Sequence, residues 1–140
     1  MKRLFLCFNL FIFLICLYGN SMFSIETELW NTVHALYFRF YETHNRIPMS
    51  FDDFLVNLPA RRSSNERNIH ALIDSHINVR GWIFIYIRID EEEFEFSIID
   101  GNRTAIYKSK DDMIYYYIND TMEILNFLSP IKLAYFNQKL

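Results

Sequence analysis

The chain has 140 residues, the length of one ordinary domain, and half of them are hydrophobic, with 14 Phe, 9 Tyr and 2 Trp. That composition excludes a disordered chain, which lacks the apolar surface to offset its chain entropy, and 3 Gly with 3 Pro exclude low-complexity or repetitive architecture. The formal charge is −3. Without Lys2 and Arg3 it is 12 − 17 = −5, a poor balance for nucleic acid, whose phosphates must be met by Lys and Arg.

The first 21 residues read as a targeting segment. Lys2 and Arg3 precede an apolar run, Leu4 to Tyr18, broken only by Asn9. Gly19 and Ser21 then supply the small residues of a signal-peptidase site. The run is shorter than the roughly 20 residues of a comfortable membrane span. It fits a cleaved signal peptide, with a single-pass N-terminal anchor as the alternative; in the second case residues 4–18 would touch the membrane. Residues 22–140 are then one exported domain. Both cysteines, Cys7 and Cys16, lie inside the apolar run, which leaves the exported part without disulfides, thiol chemistry or Cys-ligated zinc. Leu14 and Ile15, not small residues, precede Cys16, against lipidation.

Ser24 to Thr43 carries Leu29, Trp30, Val33, Leu36, Tyr37, Phe40 and Tyr41 at helical spacing, which predicts a long amphipathic helix with Ser24 as N-cap. Glu26 and Glu28 suit the positive end of its dipole. Asn45 to Pro48 ends it. Ser50 caps a second, short helix over Phe51 to Leu58, with Asp53 as its capping-box partner. Pro59 to Asn68 is polar and reads as a loop, and Ile69 to Asp74 as one further helical turn.

The period then changes from 3.6 to 2. Trp82 to Ile89 predicts a strand of β-branched and aromatic residues. Phe94, Phe96 and Ile98 alternate with Glu95, Ser97 and Ile99, so Glu95 and Ser97 should face water. Asp100-Gly101-Asn102 is a turn, and Arg103 to Lys108 and Met113 to Ile118 complete an antiparallel meander. Asn119 or Asp120 is read as the cap of a C-terminal helix over Thr121 to Leu128. Ile131 to Leu140 fits no single template. The fold class is α+β: a long N-terminal helix and a short one packed on a three- to four-stranded antiparallel meander, with a C-terminal helix. A one-sided helix and a one-sided sheet each need such a partner.

Catalytic and metal patterns are absent. His34, His44, His70 and His76 form no i, i+4 ligand pair, and His70 and His76 merely flank Asp74. No G-x-S-x-G elbow, Gly-rich phosphate loop or D-x-D-x-D-G calcium loop occurs. No catalytic residue, cofactor or metal is expected. Asn102-Arg103-Thr104 and Asn119-Asp120-Thr121 match the N-glycosylation triplet.

Two features suggest an interaction surface. Glu91, Glu92 and Glu93 make an acidic run at a hairpin tip, which as a solvated turn needs no partner and as a contact would meet a basic one. Tyr115, Tyr116 and Tyr117 are consecutive on a strand, so at least one must point outward; tyrosine also packs well in sheets, so the cluster reads first as core, with the outward contact placed at or near Tyr116.

Tyr41, Pro48, Ser50 and Leu55 end one helix and build a short second one, followed by the GWIFIYIRI strand and the Asp100-Gly101 turn. That order, over residues 26 to 108, resembles pilin-like proteins, type II secretion pseudopilins in particular. Met22 to Glu26 echoes their processing site, with the apolar run before it instead of after. The resemblance implies a small α+β fold and a place in an envelope assembly. Two roles follow as expectations. One is an exported or membrane-tethered, non-enzymatic interaction protein that binds a protein partner or itself. The other is an exported immunity or inhibitor protein that blocks one partner.

Overall fold

The computed structural model describes residues 24–124 and 130–140. The targeting segment 1–21, the membrane contact proposed for residues 4–18 and the capping role of Ser24 fall outside what can be described. Among the described residues no helix is long and apolar enough to cross a membrane.

The architecture is α+β, with a single antiparallel sheet. Helix α1 begins as Ser24–Ala35, passes through a π-helical stretch, Leu36–Tyr41, and ends as Glu42–His44. The π turn, absent from any simple periodicity, allows Leu36, Tyr37, Arg39 and Phe40 all to be buried. Asn45 then adopts φ +52° and its N–H bonds to the Tyr41 carbonyl at 2.8 Å, closing the helix with the left-handed residue expected there.

Helix α2 is Phe51–Asn57. Ser50 Oγ accepts the Asp53 N–H at 3.1 Å, as the capping signal predicts. The reciprocal bond is shifted by one residue, because Asp53 Oδ2 accepts the N–H of Met49 at 2.7 Å. Arg46 and Asn57 also bond to the Asp53 carboxylate, and together they hold its pKa well below the usual carboxylate range.

The helical turn expected at Ile69 to Asp74 is a full helix, α3, Ile69–Arg80. Asn68 Oδ1 caps it on Ala71 N–H, and Gly81 at φ +69° ends it. Its buried stripe, Ile69, Ile73 and His76, includes a histidine, and exposed Ile77 and Val79 dilute the contrast between its faces.

The sheet runs β1 (Ile83–Arg88), β2 (Phe94–Asp100), β3 (Arg103–Lys108), β4 (Met113–Ile118) and β5 (Thr121–Ile124), each paired antiparallel to the next. It therefore has five strands, not three or four. The difference lies at Asn119 and Asp120, read above as a helix cap. Both take positive φ, 48° and 63°, and Ile118 pairs with Thr121, so they form a two-residue hairpin turn with both centres left-handed. Thr121 to Ile124 is accordingly strand, and residues 125–128 of the expected helix lie outside the described part. The C-terminal helix is α4, Ile131–Asn137.

The inner face of the sheet presents Phe84, Tyr86, Phe94, Phe96, Ile98, Ala105, Tyr107, Ile114 and Tyr116 to the helices. Helix α1 lies against β2 and β3 and supplies Ile25, Leu29, Val33, Tyr37 and Phe40. Phe94 is the hub, with ring centroids 5.5 Å from Tyr86, 5.7 Å from Tyr107 and 5.9 Å from Tyr37. Burying each such ring contributes roughly 1.5–3 kcal/mol. Helix α4 has no cap of its own. Asp112, at the β3–β4 turn, serves it from a distance, its carboxylate accepting the N–H groups of Ile131, Lys132 and Leu133 at 3.1, 2.9 and 2.9 Å.

Candidate interaction surface

One sheet face is covered by helices, and among the described residues no element covers the other. Pleating puts Phe84 and Tyr86 of β1 inward, so Ile83, Ile85 and Ile87 must point outward. They are 55, 37 and 51% exposed, and Ile89 just beyond the strand is 56% exposed. Neighbouring strands extend the apolar row. Ile83 sits beside Ile99, and Ile106 pairs with Tyr115 on the same face. Met122 lies opposite Tyr117. The polar members are Glu95 and Ser97, both half-buried on this outer side as expected, Thr104 between Ile99 and Tyr117, and Lys108, which reaches Glu95 at 3.5 Å and lies over the Tyr115 ring.

The tyrosine placement is corrected by the register. Tyr116 pairs with Ala105 on the inner face and is 1% exposed, so it is a core residue and cannot meet a partner. Its neighbours Tyr115 and Tyr117 are the outward pair. Three like residues in succession fix that the faces alternate, but not which face the middle one takes; that phase is set by its neighbours, Ile114 being buried too.

The acidic residues stand at the β1–β2 turn. Glu91 and Glu92 are exposed and Glu93 is half-buried. Asp90 Oδ1 accepts the N–H groups of Glu92 and Glu93, both at 2.7 Å, and the Glu93 carbonyl accepts from Ile89 at 2.8 Å. The turn is thus held by Asp90, while the three glutamate side chains carry their charge at one end of the isoleucine row. The turn and the row adjoin; Tyr116 belongs to neither.

A second polar cluster lies inside. Glu28 Oε1 is 3.2 Å from Arg67 Nη1 and 4.0 Å from His76 Nε2. Trp82 stacks on His76 with centroids 4.0 Å apart, and the Arg80 guanidinium lies over Trp82. Burial pushes the Glu28 pKa up, opposed by the Arg67 charge, and pushes that of His76 down. Both shifts make the neutral forms easier to hold. Neither residue lines the cavity of about 490 Å³ that opens beside α1, whose apolar wall is Trp30, His34 and Phe38. His34 stacks between the other two rings at 5.0 and 4.2 Å. The arginines facing that wall are engaged: Arg39 with Glu66, Arg62 with Glu42 and Arg67 with Glu28.

His70 and Asp74 are not brought to His76, since His70 is exposed and Asp74 bonds to Asn78. Among the described residues no three His, Cys, Asp or Glu side chains gather as a metal site would require. Asn102 and Asn119, the acceptors of the two glycosylation triplets, sit in adjacent turns and bond to each other at 2.8 Å.

No family model, curated protein or solved structure matches this chain.

Proposed function

We propose that this chain is a non-enzymatic interaction protein of the cell envelope, exported or membrane-tethered, that works through the outer face of its sheet. The observation that carries the reading is the row Ile83, Ile85, Ile87 and Ile89, apolar and accessible on a folded domain whose other sheet face is fully occupied. Continuous apolar surface of this kind is costly to leave in water and marks a contact site. The basic n-region and apolar run of the first 21 residues support export or tethering.

The order of long helix, short capped helix and antiparallel meander, here with α3 inserted before the meander, is what speaks for a pilin-like accessory role within that class. The alternative is an immunity or inhibitor protein. The acidic turn beside the isoleucine row favours it, since that pair of features suits a partner with a basic rim and an apolar centre.

A photo-crosslinking residue placed at Ile85 or Tyr115, with Val56 on α2 as control, tests the reading in cells expressing the full chain. Discrete adducts at the two sheet positions and none at Val56 are expected. Absence of adducts at both sheet positions, or the same adducts at all three, removes the sheet face as a contact site.

A further inference from the structure

The free edge of β1 carries more information than its exposure. In an antiparallel pair the main-chain groups of alternate residues point to opposite sides of the strand. The Ile89 N–H bonds to Glu93 on the β2 side, so Ile83, Ile85 and Ile87 direct their main-chain groups to β2 as well. The N–H and C=O groups of Phe84, Tyr86 and Arg88 therefore face the open edge. Among the described residues no main-chain or side-chain donor or acceptor outside the sheet reaches them. Natural edges are normally guarded by a proline, a bulge or an outward lysine. This strand, IFIYIR, has none of these; its one edge device is the inward-pointing charge of Arg88, at the last residue of the strand, where its guanidinium meets Met49.

We propose that β1 pairs antiparallel with β1 of a second copy, about a two-fold axis at Tyr86, joining the two five-stranded sheets into one. This rests on the function proposed above and adds to it a second copy at the edge that borders that surface. Three observations select this occupant and this register. Edge-facing groups must oppose edge-facing groups, which restricts Tyr86 to opposite an even-numbered residue of the strand. With Tyr86 opposite Tyr86, Phe84 opposes Arg88, and three pairs exchange about six main-chain bonds. In the same register Ile83 opposes Ile89 and Ile85 opposes Ile87, so every isoleucine of the β1 row of one copy meets an isoleucine of the other. The charges agree with the antiparallel sense. Exposed Arg80 precedes β1 and the Asp90–Glu93 turn follows it, so the acidic turn of each copy comes to the Arg80 end of its partner. A parallel pair would set two acidic turns side by side. The contact is isologous and closes at two copies.

The test uses the full chain, as recovered from an expressing host, in sedimentation equilibrium with and without Ile85→Lys/Ile87→Lys. The wild-type chain is expected to have a dimer's mass. The double variant should have half that mass at the same concentration and should melt cooperatively where the wild type does once diluted to monomer, because both side chains are exposed. A cysteine trap fixes the register and stands even if the lysine variant fails to fold. In a Cys7→Ser/Cys16→Ser background, Ile85→Cys mixed with Ile87→Cys should form a disulfide dimer, since those positions oppose at about 4.5 Å between Cα atoms, within disulfide reach. Either variant alone should crosslink several-fold less. A monomeric wild-type chain, a dimer that survives both lysines in a folded variant, or equal trapping by each single cysteine variant overturns the proposal. Photo-adducts of Ile85 to a different protein, with a monomeric chain, would end self-pairing and leave the interaction function standing.

Discussion

Glu26 is the residue whose environment and chemistry disagree most. It is 1% exposed, on the helix that packs against the sheet, and among the described residues no group beyond its own main-chain N–H serves its carboxylate. Burial pushes its pKa up from 4.5 to about 7, with the main-chain N–H and the Arg103 charge opposing only in part. Between those two values the folded chain holds a proton that the unfolded chain has lost. The stabilisation is therefore complete below pH 4.5 and disappears as pH rises through 7. A difference of that size corresponds to roughly 3 kcal/mol. His34 and His76, lowered by burial, act in the opposite direction as pH falls, so the wild-type curve alone does not isolate Glu26. Urea unfolding of wild type and Glu26→Gln from pH 4.5 to 8 does. The wild type should lose stability relative to the variant as pH rises, and parallel curves would show that Glu26 titrates normally in the folded chain. The position was legible as a favourable first-turn carboxylate, but whether a helix's first turn faces solvent or sheet depends on tertiary packing, which local spacing does not contain.

At the scale of elements, legibility tracked how local the determining interaction is. The Ser50 cap, the Asn45 stop and the Gly101 turn each rest on bonds within a few residues, and each was readable. Helix α4 was not, because its cap is Asp112, 19 residues before Ile131. The carboxylate takes three N–H groups at the helix start and also the Tyr107 hydroxyl at 2.7 Å. Asp111-Asp112 is a polar pair in a turn, and nothing in the local spacing points to a helix 19 residues on. Asp112→Ala should cost about 2 kcal/mol in chemical denaturation, combining a lost cap with a buried hydroxyl deprived of its acceptor. Amide exchange at Ile131, Lys132 and Leu133 should accelerate far more than exchange in β2. Asp112→Asn, which tolerates the φ of +52° and retains one acceptor, should lose less. Uniform acceleration across β2 and α4 would mean that α4 is no separate unit and that Asp112 acts on the whole domain. The Asn119-Asp120 turn failed for a related reason: the residues that cap helices also tolerate left-handed turns, and β4's need for a neighbour decided between them.

For the whole molecule, the question is whether the two sheet faces do different work. The inner face and the helices form one continuous aromatic core, and Phe94 touches rings from α1, β1 and β3 within it. The outer face is as rich in isoleucine, yet its side chains remain in water. Period-two alternation correctly separated Phe94 and Phe96 from Glu95 and Ser97. It could not sort β1, where both faces are apolar and isoleucine fits either. If the outer row serves association alone, truncating it should leave the fold almost untouched. Phe94→Ala should therefore cost about 3–5 kcal/mol, as loss of a large buried ring does. Ile83→Thr and Ile87→Thr, which keep β-branching, should each stay within about 0.5 kcal/mol. The comparison must be made at protein concentrations low enough for the chain to be monomeric, since any species that binds only the folded state adds to apparent stability. Under those conditions a cost above 1.5 kcal/mol at Ile83 or Ile87 would show that the outer row is needed for the monomer's own fold, and its exposure would lose its meaning as a contact surface. Near-neutral values, together with a stability that climbs with concentration in the wild type and not in the threonine variants, would separate the two faces: one holds the domain together and the other is kept for a partner.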